Sequence, residues 1–232
     1  MEKITVTSSG GVRPYMAYLY GKVTDKFSFL PAASDMASDG DRTTLTFQAE
    51  RKYCPYIRKY TEENIAEVIA VGYKYDYFNN VLSLPLLNAE EKEILLASLV
   101  AADFPEDREF IRRKISGSDK YCIDGAYNFK LFELKSRWKK IAEYVPPEFS
   151  SSSLESFIDF LAEEGEGKVF LKDGEVYDEE YRMLSRSALI GKKSAVREIL
   201  LSGAGGVYCF GPPEKEVTDF LKKYYKEKVV FC

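Results

Sequence analysis

Gly203-Ala204-Gly205-Gly206-Val207-Tyr208-Cys209-Phe210-Gly211-Pro212-Pro213-Glu214-Lys215-Glu216-Val217-Thr218-Asp219-Phe220-Leu221-Lys222-Lys223-Tyr224-Tyr225-Lys226-Glu227-Lys228-Val229-Val230-Phe231-Cys232 reads as strand, helix, strand. Val207 to Phe210 is β-prone, and Gly211-Pro212-Pro213 breaks it. Proline in the first turn and Glu214 and Glu216 near the positive end favour a helix there. Val217, Phe220, Leu221 and Tyr224 recur at i, i+3, i+4 and i+7, one helical face. Val229-Val230-Phe231 is a second strand of buried type. Two strands joined through a helix predict a parallel pair with a right-handed crossover, covered on both faces. The Gly203–Gly206 run ends a helix before a strand, so it reads as a C-cap and tight turn; phosphate binding needs the reverse order. Gly211-Pro212-Pro213 has the right polarity, but its prolines lack two N–H donors.

Upstream, Val169 to Tyr177 predicts a hairpin about a type I′ turn at Asp173-Gly174. Its register sets Lys172 against Glu175, Leu171 against Val176 and Phe170 against Tyr177. Helix is expected from Asp178 to Ser202, broken near Gly191. Leu131, Leu134, Trp138, Ile141 and Val145 form a heptad-like seam stopped by Pro146-Pro147. Ser152 with Glu155 predicts the cap of a helix that turns Leu154, Phe157, Ile158 and Leu161 inward and ends at Gly165. Thr61 is the expected cap of a helix burying Ile65, Val68 and Ile69. Asn88-Ala89-Glu90-Glu91 resembles a capping box, with Ile94, Leu95 and Leu99 inward. Pro105 opens a further helix that Gly117 ends. Near the start, Ile4-Thr5-Val6 and Thr44 to Phe47 alternate as strands. Tyr15 to Tyr20 fits helix or strand, and Ser34 to Asp41 reads as a mobile polar connection. The whole is an α+β fold, mostly helical, in three segments: a small β-rich lobe (1–50), a helical region (51–149) and a C-terminal α/β region (150–232).

Composition narrows the chemistry. In 232 residues the chain has 33 basic and 37 acidic residues, net −4, which disfavours a general nucleic-acid coat. The aromatics of Tyr73 to Phe78 therefore read as cover for a helix end rather than as a base-stacking surface. Histidine is absent, which excludes Ser-His-Asp and Cys-His catalysis and every His-containing zinc site. No cofactor is expected. The four cysteines are far apart without a C-x-x-C pair, as expected of reduced thiols. No apolar run approaches the ~18 residues of a membrane span, and the first residues lack a signal peptide's apolar core, so the expected compartment is the cytoplasm. Paired glutamates (Glu62/Glu63, Glu90/Glu91, Glu163/Glu164, Glu179/Glu180) sit at helix ends, where they complement the macrodipole. Asp124 reads as the cap of a helix carrying Asn128. Thr7-Ser8-Ser9-Gly10-Gly11 follows a strand but lacks the Lys-Ser/Thr pair of a P-loop, so a plain turn is expected.

Tyr121-Cys122-Ile123-Asp124-Gly125-Ala126-Tyr127-Asn128-Phe129-Lys130-Leu131, running into the Trp138 helix, resembles the EGFVNFRL segment of the YtxC-like sporulation proteins. Tyr77-Phe78-Asn79-Asn80 with Asn88 to Leu95, and the ending from Val217 to Cys232, are similar to two further stretches of that family in the same order. The chain differs in its Leu84-Pro85-Leu86-Leu87 and Ser202 to Gly206 segments. The resemblance spans about residues 55–232 and implies a cytoplasmic protein of spore-forming bacteria, associated with sporulation, with no established biochemical activity and no known catalytic residues. The expected function is non-enzymatic, through a protein partner, on a face running from Asn128 and Lys130 to Arg137. The alternative is a small-molecule or nucleotide-binding module at the carboxyl end of the terminal strands.

Overall fold

Alternation and capping partition the chain into short elements. The computed structural model describes residues 1–9 and 13–232. Its first half runs β1 (Glu2–Ser9), α1 (Arg13–Lys26), β2 (Ala32–Asp39), β3 (Arg42–Ala49), α2 (Cys54–Val68), α3 (Lys74–Val81), α4 (Ala89–Ala101), α5 (Phe104–Ile115), β4 (Lys120–Cys122) and α6 (Ile123–Phe129). There follow α7 (Phe132–Glu143), α8 (Ser151–Glu164), β5 (Lys168–Lys172), β6 (Glu175–Tyr177), α9 (Ala195–Ser202), β7 (Gly206–Phe210), α10 (Lys215–Phe220) and β8 (Val229–Phe231). The fold is α+β, with two four-stranded mixed sheets.

The chain divides into two units that cut across the three expected segments: unit 1 holds Met1–Lys74 and Phe104–Lys140, unit 2 Tyr75–Asp103 and Ile141–Cys232. The first fifty residues do not close a lobe alone, because β1 takes β4 as its parallel neighbour, in register Val6 to Tyr121. Unit 1's sheet has the order β2-β3-β1-β4. Ile4 and Val6 pair with Phe47 and Leu45, and all four are buried on the face that α1 and α2 pack against. Tyr15 to Tyr20 resolves as helix, within α1.

Ser34 to Asp41, expected as a loop, forms β2 and the turn after it. Its alanines, serines and aspartates have low intrinsic β-propensity, and the ladder with β3 overrides it. The helix expected to start at Thr61 begins at Cys54, with Pro55 in its first turn. Thr61 is instead fully buried inside it, and its hydroxyl has no hydrogen-bond partner among the described residues.

Unit 2's sheet has the order β6-β5-β7-β8, with β5, β7 and β8 parallel. The hairpin holds its expected register, with positive φ at both Asp173 (52°) and Gly174 (79°). Val169, Leu171, Val176, Val207 and Cys209 are buried beneath helices that include α9, while Phe170 and Tyr208 lie on the other face. The terminal pair is parallel as expected, yet β8 is not a buried strand. Val230 and Phe231 are 42% and 55% exposed, because this three-residue strand is the sheet's edge. The Asn88 capping box closes in both directions, through Asn88 Oδ1 and Glu91 Oε2. The α8 cap is Ser150, two residues earlier than expected, accepting from the Ser153 N–H. Residues 178–185 are not helical; Asp178 Oδ1 accepts the N–H groups of Glu180 and Arg182, competing with a helix start, and only a 3₁₀ turn (Arg186–Ile190) and α9 follow. Gly165 and Gly205 let two backbones meet: a Cβ on Gly165 would lie 2.6 Å from the Gly203 carbonyl oxygen.

Candidate functional site

Three isoleucines, brought from α2, α5 and α6, make the floor of a groove in unit 1. Ile65, Ile115 and Ile123 line it with Tyr121, Ala126 and Phe129, around about 340 Å³. In α6, Ile123, Ala126 and Phe129 are spaced three apart, so one helix side descends from the open surface into the core. Ile123 is 1% exposed and Phe129 86%. Tyr121 anchors the floor: its hydroxyl donates 2.7 Å to Glu62 Oε1, which also accepts the Gly117 N–H at 2.7 Å. Burial, then this bond to Glu62, pushes the Tyr121 phenol above its ordinary range. Lys120 and Lys130 flank the groove, no carboxylate lines it, and neither lysine makes an ion pair among the described residues. Beyond Leu131, which is buried, Phe132 is 76% exposed. The wider field has the same sign: unit 1 carries 20 basic and 15 acidic residues, a formal +5, and unit 2 carries 13 and 22, a formal −9.

Of the three residues named for the partner face, Lys130 lines this groove and Asn128 lies exposed two residues before it, its carbonyl oxygen accepting from Lys135 Nζ at 3.4 Å. Arg137 is committed elsewhere. It lies 3.3 Å from Asp107 Oδ1 and above the Phe110 ring. Asp107 is fully buried, with Lys74 Nζ at 3.0 Å and Trp138 Nε1 at 2.7 Å on Oδ2. Lys74, expected in a helix-end cover, is as buried as Asp107.

Asp124 is not a local cap; Cys122 holds the N-cap position of α6. The Asp124 carboxylate reaches the end of β1, accepting from Ser8 Oγ at 2.8 Å, the Ser9 N–H at 2.7 Å and Tyr73 Oη at 2.8 Å. Burial would raise this carboxyl, but the Ser9 N–H and the Tyr73, Ser8 and Ser9 hydroxyls outweigh it and hold it below the ordinary range. Ser8 and Ser9, in the segment considered for anions, are thus engaged with a carboxylate of the chain itself, while Gly10 and Gly11 lie outside the described residues.

A second concavity, of about 470 Å³, belongs to unit 2. It lies beyond the carboxyl ends of β5 and β7, where Leu171, Gly174 and Pro213 reach it. Glu90, Glu93, Glu175, Glu198, Glu214 and Glu216 line it against Lys192, Lys193 and Arg197. Arg197 pairs with Glu93 and Lys193 with Glu175. Glu198 accepts the N–H groups of Arg186 (3.0 Å) and Ser187 (2.7 Å), and burial holds its carboxyl above its ordinary range despite them. The remaining carboxylate surplus repels polyphosphate, so the lining suits a cation better than a nucleotide.

The groove lies in the Tyr121–Leu131 segment, and the 3-3 spacing of Ile123, Ala126 and Phe129 is its local signal. Ile65 and Ile115 reach it only through tertiary packing. Among the described residues no group of three or more metal-ligating side chains occurs, and no helix is long and apolar enough to cross a membrane. Compared with known proteins, the chain matches no family model, no curated protein and no solved structure.

Proposed function

We propose that this chain is a non-enzymatic binding protein whose α6 groove takes a partner segment pairing an apolar anchor with acidic flanks. The observation that carries the reading is the exposed Phe129 beside an isoleucine-floored groove whose charged lining residues, among those described, are Lys120 and Lys130. An apolar anchor would gain area burial, while the lysines select carboxylates and speed encounter. The likeness of Tyr121 to Leu131 to the YtxC-like proteins supports looking for that partner in sporulating cells. The test places a photo-crosslinking residue at Phe129 in such cells, then measures the captured protein's affinity in pure form. Binding should weaken with salt and fall at least roughly tenfold in Lys120→Glu/Lys130→Glu. Equal affinity of that variant, at all salt concentrations, would overturn the reading.

A second reading is favoured by the unit 2 concavity: a small cationic ligand held by Glu90, Glu214 and Glu216. Saturation at ~100 times the dissociation constant adds about 2.7 kcal/mol of stability. Thermal shifts with spermidine and arginine, and none with ATP, are the expected result; the reverse order removes this reading.

A further inference from the structure

β2 is an eight-residue edge strand whose register with β3 is unbroken from Ala32 to Asp39. Apart from half-buried Ser34, every residue of it is exposed. Ser34 is the point where α1 reaches the strand, its Oγ accepting from Thr24 Oγ1 at 3.2 Å. Proteins ordinarily blunt such edges with charged side chains, especially lysine, or with proline, a bulge or a covering element. This strand carries only Asp35 and Asp39 of these devices, so its pairing is restricted to registers that keep the two acids apart.

The turn fixes which backbone groups are left over. Gly40 (φ 55°) and Asp41 form a two-residue loop, so Asp39 and Arg42 are the hydrogen-bonded closing pair. Alternation then gives Ala33, Asp35, Ala37 and Asp39 to β3, and turns the N–H and C=O groups of Ala32, Ser34, Met36 and Ser38 to the open edge. The Ala32 N–H is already taken by the Leu30 carbonyl. Among the described residues no acceptor meets the N–H groups of Ser34, Met36 and Ser38, which are left to donate outward.

We infer that this edge pairs with the β2 edge of a second copy of the chain, antiparallel about a twofold axis at Met36. Edge-facing residues must oppose edge-facing residues, which restricts the possible registers. Centring on Asp35 would set that carboxylate against its own copy, and centring on Ala37 would set Asp35 against Asp39. Like charges directly opposite destabilise a ladder. Centring on Ser34 shortens the overlap. Centring on Met36 opposes Asp35 to Ala37, Asp39 to Ala33 and Ser34 to Ser38, so each acid faces a small apolar residue. Three pairs exchange backbone bonds, and Met36, 45% exposed here, packs against its own copy.

The register is tested by trapping. In a Cys122→Ser/Cys232→Ser background, which removes the two exposed native thiols, Met36→Cys, Asp35→Cys and Ala37→Cys are oxidised side by side. Opposed Cα atoms about 5.5 Å apart permit a disulfide, so Met36→Cys should cross-link at least roughly tenfold faster than the other two. Sedimentation of the wild-type chain up to millimolar concentration should show a monomer–dimer equilibrium. Met36→Lys should abolish it while leaving unchanged the urea unfolding curve recorded at a concentration low enough that both chains are monomeric. Equal cross-linking at the three positions, a wild-type chain that stays monomeric, or a dimer that survives Met36→Lys would each overturn the inference.

Discussion

Replacing Lys74 by Met should strip the buried Asp107 carboxylate of its closest cation. Both side chains have no exposure, and their 3.0 Å contact lies where water cannot screen it. Breaking such a pair from one side costs roughly 3–5 kcal/mol, because an uncompensated charge stays behind. Trp138 Nε1 at 2.7 Å and Arg137 at 3.3 Å still face Asp107, which puts Lys74→Met near 3 kcal/mol, about the low end of that range. Asp107→Leu removes the acceptor of Trp138 as well and belongs near 5 kcal/mol, about the high end. Replacing both by apolar residues should cost less than Asp107→Leu alone, since neither charge is then stranded. The assay is urea unfolding followed by tryptophan fluorescence. Trp138 is the chain's single tryptophan, is fully buried and belongs to unit 1, so the signal reports that unit directly. With a slope near ~2 kcal/mol per molar, Lys74→Met should lower the midpoint by about 1.5 M. A shift below about 0.3 M, or a double variant as unstable as the two singles summed, would refute the reasoning.

Asp124→Asn should destabilise unit 1 by about 1–2 kcal/mol at neutral pH, the carboxylate being only partly buried. The Asp124 carboxyl is held below its ordinary range, so its contribution is present above the unfolded value near ~3.9 and fades as pH falls through the folded one. The gap between wild type and variant should therefore close on acidification; a gap that widened would contradict the assignment. Glu198→Ala removes the acceptor of the Arg186 and Ser187 N–H groups and should cost about 2 kcal/mol, read as faster hydrogen exchange at the Ser187 amide. Unchanged protection there would show that Glu198 does not hold the 3₁₀ turn. Gly165→Ala forces a Cβ against the Gly203 carbonyl oxygen and should lower the circular-dichroism melt by several degrees, roughly 2 kcal/mol or more. An unaltered melt would mean the two backbones can separate freely.

Short-range chemistry was legible in the chain itself. The hairpin register follows from Asp173-Gly174 and the pairs around it, the α4 start from Asn88 and Glu91, and the closing parallel unit from its apolar spacing. The first two depend on residues within a few positions of one another, and the third on strands joined by one short helix, so propensity and short-range connectivity are enough. β2 was read as a loop because its composition is weakly β-forming and only the β3 ladder, made in three dimensions, makes it a strand. Asp124 looked like a local cap, yet its donors Ser8 and Tyr73 lie far away in sequence. Lys74 and Asp107, the division of residues into two discontinuous units, and the union of Ile65, Ile115 and Ile123 beneath Phe129 share that character. Local sequence determines where backbone groups find their nearest partners. Tertiary packing decides which buried charges meet and which apolar floors stay open, because those energies depend on burial, and no single segment creates a buried environment by itself.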